Sequence, residues 1–228
     1  MTETAVNTFA CRSPLFERLA PLTSTWLEIN AYRVSAQLRP SIGPGAPWLS
    51  DHTHLARVGF KGRGAAAWLA AQGVALPAAP NRWLCDTSGA TIARLGTEDF
   101  LIADEAEKTS GLPQNLAARW HAASIAGGFL VPRQHGLAVI AVGGASAPQL
   151  LAHLCAVDLR PPAFASDAIA QTQLALSSVV IMRSSSAAAA SYRLFVDTSL
   201  ALYLWDVLND VAATLGGGAL GSTQQPGA

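Results

Sequence analysis

The residues best suited to chemistry lie in one stretch, "HLCAVDLRPPAFASDAIAQTQLALSSVVIMR", residues 153–183. In this stretch Asp158 stands beside Arg160, close to a double proline and several hydroxyl side chains. A carboxylate in such a place can bind the amine of a ligand, or it can pair with the guanidinium group and the amides of a turn. No second carboxylate lies near enough to form a recognisable general acid and base pair. We therefore favour a turn at Asp158, with a ligand site as the alternative.

Two histidines, His52 and His54, lie two residues apart in "DHTH" and could hold a metal ion on one face of a strand. A metal site also needs a third ligand cluster nearby, and the other histidines are scattered along the chain. We therefore predict an exposed polar turn here, and no metal site on this chain.

The glycines of "GFKGRGAA" suggest phosphate binding at the start of a helix, but their pattern is G-x-x-G-x-G. The dinucleotide-binding pattern is G-x-G-x-x-G, followed by an acid at the ribose-binding distance, and no such acid follows here. A tight strand-to-helix turn explains these glycines better. A nucleophile is not indicated either, because there is no G-x-S-x-G motif. Cys155, which lies between Leu154 and Ala156, is predicted to be a small, buried and inert thiol.

Charged residues are unusually rare in this chain. They make up 13% of its 228 residues, its net charge is zero and its mean hydropathy is +0.29, whereas a typical soluble protein has about 25% charged residues. Obligate interfaces are apolar and poor in charge, so we predict burial against another subunit. An alanine-rich composition from a GC-rich genome is the alternative. With no basic excess, we expect no binding to nucleic acid or to a membrane.

The cysteines and the N-terminus bear on the compartment. Cys11, Cys85 and Cys155 are odd in number and widely spaced, which favours a reducing environment. The first residues, "MTETAVNTFACRSPLFERLA", lack the cationic start and apolar block of a signal peptide. We therefore expect a cytoplasmic protein.

The chain nearly repeats itself at an offset of 82 residues, where "LARVGFKGRGAAAWLAAQG" (55–73) aligns without a gap on "LAVIAVGGASAPQLLAHLC" (137–155). Each copy predicts a strand, a glycine turn and a short helix, followed by further strands and a closing helix. Two such β-α-β and hairpin-α units predict an α+β fold with antiparallel or mixed sheets.

The predicted organisation has three parts. An N-terminal arm, 1–24, precedes a single unit, 25–215, which contains two pseudo-repeats at about 55–124 and 137–215. Strand-like alternation is present in 25–39, and "RSSSAAAAS" (183–191) is a predicted hairpin loop. The glycine-rich end, 216–228, is predicted to be a disordered tail.

The segment "CAVDLRPPAFASDAIAQTQLA" resembles the gamma subunits of heterotetrameric sarcosine oxidases. Other segments agree with that family in order: "RSPL", "GFKGRGAAAWLAAQGVALPAAPNRW", "ARLGTEDFLI" and the closing helix with Tyr203 and Trp205. The resemblance spans roughly residues 11–213.

This resemblance implies a fold similar to the folate-binding domain of the glycine-cleavage aminomethyltransferases. It also implies a place beside alpha, beta and delta subunits in a complex that oxidatively demethylates sarcosine, with oxygen as acceptor. FAD, FMN, NAD and tetrahydrofolate would be held by the partner subunits, and gamma would have a structural role with no cofactor of its own. We therefore expect no catalytic residue on this chain.

One departure from the wider family concerns an Asp-x-Ser that commonly precedes the strand of the second repeat. Here the aligned positions are Pro132 and Gln134, and only His135 keeps a familiar residue. Losing the acid removes a charge that could hold an amine, so independent aminomethyl transfer is not expected. A stand-alone folate-binding protein or aminomethyltransferase-like enzyme stays as the alternative. The candidate contacts for a ligand or a partner are Asp158, Arg160, Gln171, Thr172 and His135.

Overall fold

The structure is a computed structural model, and it describes residues 11–39, 42–106, 109–121, 126–161, 163–183 and 191–224. The α-helices are α1 (Phe16–Leu19), α2 (Ala65–Ala71), α3 (Leu112–His121), α4 (Ala147–Ala152) and α5 (Ala201–Thr214). The strands are β1 (Thr23–Ile29), β2 (Tyr32–Leu38), β3 (Trp48–Asp51), β4 (Arg57–Gly62), β5 (Arg82–Cys85), β6 (Thr91–Gly96), β7 (Asp99–Ala103), β8 (Gly128–Val131), β9 (Leu137–Gly143), β10 (Ile169–Leu174), β11 (Ser177–Arg183), β12 (Tyr192–Asp197) and β13 (Gly218–Ala219). Short 3₁₀ helices, Ala20–Leu22 and Thr198–Leu200, precede β1 and α5.

Two units of the chain share one topology. The first runs β4–α2–β5–β6–β7–α3, and the second runs β9–α4–β10–β11–β12–α5. The spatial order of the strands is also the same, β5-β6-β7-β4 in one sheet and β10-β11-β12-β9 in the other. The predicted α+β fold with two pseudo-repeated units is therefore confirmed.

Further strands extend each sheet beside the first strand of its unit. β8 pairs with β4, while β3 pairs with β9 and β13 pairs with β3. The β13–β3 pair is parallel and the other named strand pairs are antiparallel. Among the described residues, β1 and β2 form a separate two-stranded sheet.

The two large sheets are covered on both faces, so successive side chains of one strand enter different cores. In β7, Phe100 and Ile102 pack beneath α2 and α3, whereas Leu101 and Ala103 lie between the sheets. In β12, Leu194 packs beneath α4 and α5, and Phe195 points to the layer between the sheets. Each of the leucine, isoleucine and phenylalanine side chains contributes about 1.5–3 kcal/mol when it is fully buried. No helix in the described part of the chain is long and apolar enough to cross a membrane.

The N-terminal region differs from its prediction. From Cys11 onward the predicted arm is packed on the body, because Leu15 and Leu19 insert into the core beneath α4 and α5. The strand-like segment 25–39 is a hairpin rather than one strand, since Asn30 and Ala31 have φ values of 52° and 63°. Positive φ at both central residues defines the tight turn that matches the twist of two antiparallel strands. Because the second residue of the turn is alanine and not glycine, the sequence does not indicate this turn.

The predicted disordered tail is wrong for its described part, 216–224. The amides of Gly218 and Leu220 donate to the carbonyl groups of Pro47 and Leu49, at 3.1 and 2.7 Å. The amide of Ser222 then donates to Ser35 of β2 at 2.9 Å. Glycine-rich chain is ordered here because small residues allow its backbone to lie against other backbone: a Cβ on Gly217 or Gly221 would collide with a carbonyl oxygen. Residues 225–228 lie outside the described residues, as do 184–190 of the predicted hairpin loop and 1–10 of the predicted arm.

The glycine shared by the two units supports the interpretation of the glycine motif as a turn. Gly62 is the last residue of β4 and Gly144 directly follows β9, with φ values of 95° and 100°. In each case an added Cβ would collide with a backbone carbonyl oxygen, that of Gly127 or Ala46. Glycine is thus required at each of these positions for two reasons, the positive φ and the close approach of another backbone segment.

We expect Gly62→Ala and Gly144→Ala each to lower the free energy of unfolding by about 2–4 kcal/mol, because backbone strain and overpacking add. Gly43→Ala is the matched control, since no atom lies within 4 Å of its added Cβ. Urea denaturation followed by circular dichroism measures the difference. Equal stability of the Gly144→Ala and Gly43→Ala variants would contradict this explanation.

Candidate functional site

A cleft of about 500 Å³ opens between the two large sheets. Its bottom is apolar, because Leu101 and Phe195 point into it from the inner core layer. Its rim carries polar side chains from strands of the second unit. The lining residues are Leu95, Leu101, Arg133, Leu137, Gln171, Thr172, Gln173, Ser178, Val179, Val180, Phe195 and Asp197.

Gln171 joins the two sheets at the edge of this cleft. Its side-chain amide donates to Asn81 Oδ1 and to the carbonyl oxygen of Leu95, both at 2.7 Å. The backbone supports the same junction, since the amide of Ile169 donates to the carbonyl group of Asn81 at 3.0 Å. The Gln171 amide group therefore already has partners inside the protein.

The two charged side chains of the cleft also have internal partners. Arg133 lies 3.7 Å from Asp99, measured from Nη2 to Oδ1. Asp197 Oδ1 accepts hydrogen bonds from the amide and hydroxyl groups of Ser199, at 2.9 and 2.6 Å. These bonds, the hydroxyl one first, hold the pKa of Asp197 below its usual value. Arg133 thus positions the loop after β8, and Asp197 positions the start of the 3₁₀ helix before α5.

The structure separates the five predicted contact residues. Gln171 and Thr172 line the cleft, and His135, Asp158 and Arg160 do not contribute to its lining. His135 Nδ1 lies 3.1 Å from the hydroxyl group of Tyr32, and its carbonyl oxygen accepts from the hydroxyl group of Thr198 at 2.8 Å.

Asp158 and Arg160 bind each other in an exposed turn. The Asp158 carboxylate accepts from Arg160 Nε at 2.9 Å, from Nη2 at 2.7 Å and from the backbone amide at 3.1 Å. The guanidinium hydrogen bonds, and then the amide one, lower the pKa of Asp158 to about 2. This is the turn geometry favoured by the sequence, and the exposed pair contributes little to stability.

The turn predicted at "DHTH" is present, since the amide of Leu55 donates to the carbonyl group of His52 at 3.0 Å, but its predicted exposure is wrong: His52 and His54 are only 8% and 6% exposed. Their rings lie edge to face with centroids 6.1 Å apart. Burial lowers the pKa of His52 to about 3 and that of His54 to about 4, so both are neutral at pH 7. Among the described residues, no three histidine, cysteine or acidic side chains cluster as metal ligands would.

Sequence inspection missed the buried guanidinium group of Arg57, which is 3% exposed. It donates to the carbonyl oxygens of Thr53 at 2.9 Å and Leu55 at 2.6 Å on one side. On the other side it donates to those of Gln134 at 2.7 Å and Leu137. The side-chain oxygen of Gln134 in turn accepts from the Arg57 amide at 2.9 Å. Gln134, two residues after the predicted position of the acid, thus serves the fold.

A second buried arginine, Arg193 of β12, also lies between the sheets and is 3% exposed. Its Nη2 lies 2.9 Å from Glu105 Oε1 and 2.8 Å from the Thr91 hydroxyl group, which itself bonds to Glu105. The sequence signal for it is an arginine that shares a strand face with Phe195 in the mainly apolar strand "YRLFVD". The ionic network links β6 and β12, one strand of each sheet.

The free thiols offer no clear site. Cys155 is half-buried and packs against the core beneath α4 and α5, and is thus less enclosed than predicted. Cys85 is exposed, and its Sγ contacts the carbonyl oxygen of Asp86 at 3.6 Å. Among the residues that line the cleft, none combines a nucleophile with a general base. The arrangement is suited to holding a small polar group through amides and hydroxyls.

No family model matches this chain, and no curated protein does. Among solved structures, it is similar to a chain of the heterotetrameric sarcosine oxidase from Corynebacterium sp. U-96, solved in complex with pyrrole 2-carboxylate. The two are 24% identical with a TM-score of 0.68, and the match covers 90% of this chain and 96% of that one. It is also similar to the glycine cleavage system aminomethyltransferase T from Bartonella henselae, at 14% identity and a TM-score of 0.69. That match covers 93% of this chain and 60% of the other.

The fold is that of an aminomethyltransferase domain. The predicted likeness to the folate-binding domain of the glycine-cleavage aminomethyltransferases is therefore confirmed at the level of the fold. Because the first match covers nearly all of both chains, this chain also has about the length of one chain of a heterotetrameric enzyme.

We expect the buried histidines to make the fold sensitive to acid. In the unfolded chain a histidine takes up a proton near pH 6.5, whereas His52 and His54 resist protonation until about pH 3 and 4. The unfolded state therefore binds more protons between these values, and stability falls as pH falls. Each histidine adds a slope of about 1.4 kcal/mol per pH unit.

The His54→Gln variant should lose one such slope between pH 6 and 4.5, and His52→Gln/His54→Gln should lose two. Urea denaturation at a series of pH values measures the slopes, with wild type as the reference for the acidic residues that titrate in the same range. Parallel curves for all three proteins would show that these histidines are not protonated preferentially in the unfolded chain.

Proposed function

We propose that this chain is the non-catalytic, structural gamma subunit of a heterotetrameric complex of the sarcosine oxidase type. The observation that carries this proposal is the match, over nearly the full length of both chains, to one chain of such an enzyme. The ordered sequence motifs of that family support it, since they extend over most of the same region.

The geometry of the cleft supports a structural role. Gln171 and Asp197 have hydrogen-bond partners within the chain, Arg133 has an ionic one, and Gln134 is bonded to Arg57. A catalytic group must be available to the reacting atoms, and a bond to the scaffold competes with that task. The polar groups of this site are therefore better placed to hold the two sheets together.

In this proposal the complex lies in the cytoplasm, and alpha, beta and delta subunits are the partners. Sarcosine is demethylated to glycine on a flavin, oxygen is the final electron acceptor, and the one-carbon unit passes to tetrahydrofolate. FAD, FMN, NAD and tetrahydrofolate are held by the partner subunits. This chain contributes surfaces on which those subunits assemble.

Co-expression with the subunits encoded beside it tests the role. We expect one species in size-exclusion chromatography that contains this chain and flavin, and a lower yield of assembled complex when this chain is omitted. The cleft variant Gln173→Ala/Ser178→Ala should leave kcat of the complex within about twofold of wild type, because no reacting atom is contacted. A stable monomer that never binds a flavoprotein, or a large loss of kcat in the cleft variant, would contradict the proposal.

The volume of the cleft favours one second candidate, a stand-alone folate-binding protein or aminomethyltransferase-like enzyme. About 500 Å³ is within the range of small-molecule sites, and the amide of Gln173 and the hydroxyl of Ser178 suit the donors and acceptors of a pterin ring. The one acid among the lining residues is Asp197, which is exposed and accepts from Ser199 through Oδ1.

Isothermal titration of the isolated chain with tetrahydrofolate decides between the candidates. We expect no saturable binding up to about millimolar ligand, which corresponds to less than about 4 kcal/mol of binding free energy. Saturable binding that Gln173→Ala weakens would instead support the second candidate, and turnover of a methylated amine by the isolated chain would establish it.

A further inference from the structure

The β1–β2 hairpin leaves one strand edge open. Within the described part of the chain β1 pairs with β2 alone. Ile29 and Tyr32 close the two-residue turn at Asn30 and Ala31, so they form a hydrogen-bonded pair, and such pairs alternate along the ladder. Leu27 therefore bonds to Val34 of β2, whereas the amide and carbonyl groups of Trp26 and Glu28 point away from it.

The opposite edge of the hairpin is occupied, which holds the hairpin firmly to the body. The amide of Arg33 donates to the carbonyl group of Cys11 at 3.4 Å, and that of Ser222 donates to Ser35 at 2.9 Å. At the turn, the side chain of Asn30 donates to the carbonyl oxygen of His54 at 2.9 Å. The open edge of β1 is thus presented by a fastened element and not by a loose arm.

The open strand lacks the usual protection against pairing. Its sequence, "TSTWLEI", contains no proline and no lysine, and Glu28 is its one charged residue. Leu27 is 43% exposed and Leu22, just before the strand, is 40% exposed. Soluble proteins commonly block such edges with charge, proline or a covering element, because an open edge is a template for another strand.

Arginine and aromatic side chains stack beside this strand. The Phe16 and Trp26 rings lie 5.3 Å apart, with Arg12 Cζ 4.7 Å from the Phe16 ring and Arg33 Cζ 4.4 Å from the Trp26 ring. Tryptophan and arginine are enriched among the residues that dominate protein interfaces. The stacking also restrains both guanidinium groups before any partner binds, which lowers the entropy cost of contact.

We propose that the β1 edge is a docking site for an extended, acidic segment of a larger partner subunit, which adds to β1 as a further strand. The inference rests on the proposed function for the identity of the partner. Outward amide and carbonyl groups that alternate along a strand are matched by another extended backbone, so the occupant is a polypeptide. Arg18 is already paired with Asp206, but Arg12 and Arg33 stack beside β1, so the segment that fits is acidic.

Hydrogen exchange resolved at single amides tests the proposal on the co-expressed complex. In the isolated chain the amides of Trp26 and Glu28 should exchange fast, and that of Leu27 slowly. In the complex, exchange at Trp26 and Glu28 should slow by about tenfold or more because their amides become bonded. The amides of β2 should change little, since their partners are already present in the isolated chain.

A matched pair of variants separates backbone pairing from side-chain contacts. Glu28→Pro removes an outward amide and no bond to β2, so the dissociation constant of the complex should rise by about tenfold or more. Glu28→Gln keeps the amide and should change it by less than about threefold. Arg12→Gln should weaken binding at low salt and reduce its salt dependence. Thermal unfolding checks that the variants fold, and the exchange measurement decides the matter if Glu28→Pro does not.

The outcomes distinguish this inference from the proposed function. A complex in which Trp26 and Glu28 exchange as in the isolated chain overturns the edge proposal alone, and failure to form any complex overturns both. Protection already present in the monomer, and lost on deletion of residues 1–10, would assign the edge to this chain's own N-terminus. Protection that appears with dimerisation of the isolated chain would assign it to a second copy. Either result overturns the proposed occupant.

Discussion

The geometry of the molecule depends on the buried guanidinium group of Arg57. It donates hydrogen bonds to carbonyl groups in 53–55 and in 134–137, the segments that lead into the first strands of the two units. Burial lowers its pKa to about 10, so the group is still charged at neutral pH and its carbonyl partners must stay in place. Lysine has no planar fork to reach two segments at once, and so could not replace it. These bonds hold the loop that contains Gln134 and His135 at the junction of the two sheets.

The hydrogen bonds to Arg57 explain why the region before β9 has a structural role in this chain. Pro132, at the position where an acid was considered, carries no charge, and the amide oxygen of Gln134 accepts from the Arg57 backbone amide. Arg193, buried nearby with Glu105 and Thr91, adds a second internal network across the same layer. Polar groups between the sheets are thus used mainly to specify how the sheets meet.

Local and periodic features of the fold could be predicted from the sequence. The offset repeat follows from aligning the chain with itself, and the positive φ at Gly62 and Gly144 and the pairing of Asp158 with Arg160 follow from patterns within a few residues. The burial of His52 and His54 could not be predicted, because their backbone partners, Val139 and Asn30, lie far away in the sequence. The order of 216–224 was missed for a similar reason: its partners, Pro47, Leu49 and Ser35, lie far away in the sequence.

The candidate site was only partly predictable, again because it is assembled across the repeats. Gln171 and Thr172 do line the cleft, but Leu95 and Arg133 come from outside the second unit. Asp158 and Arg160 were grouped with them by proximity in the sequence, whereas the chain turns between these pairs and leaves the ion pair in an exposed turn. Sequence proximity predicts contacts within a turn well and contacts within a cleft poorly.

The low content of charged residues can also be explained by apolar burial inside this chain. Both faces of each large sheet are covered, so three apolar layers are filled within one chain, and much of the apolar composition is used internally. Composition alone is therefore weak support for a partner, and the proposed assembly depends on the full-length structural match. The features that specify this fold, glycine turns and alternating burial, are independent of the charges in the cleft. In such a domain the polar residues of the cleft can bond to one another instead of to a ligand, and the architecture stays the same. Open backbone edges, such as that of β1, are then the groups available to a partner.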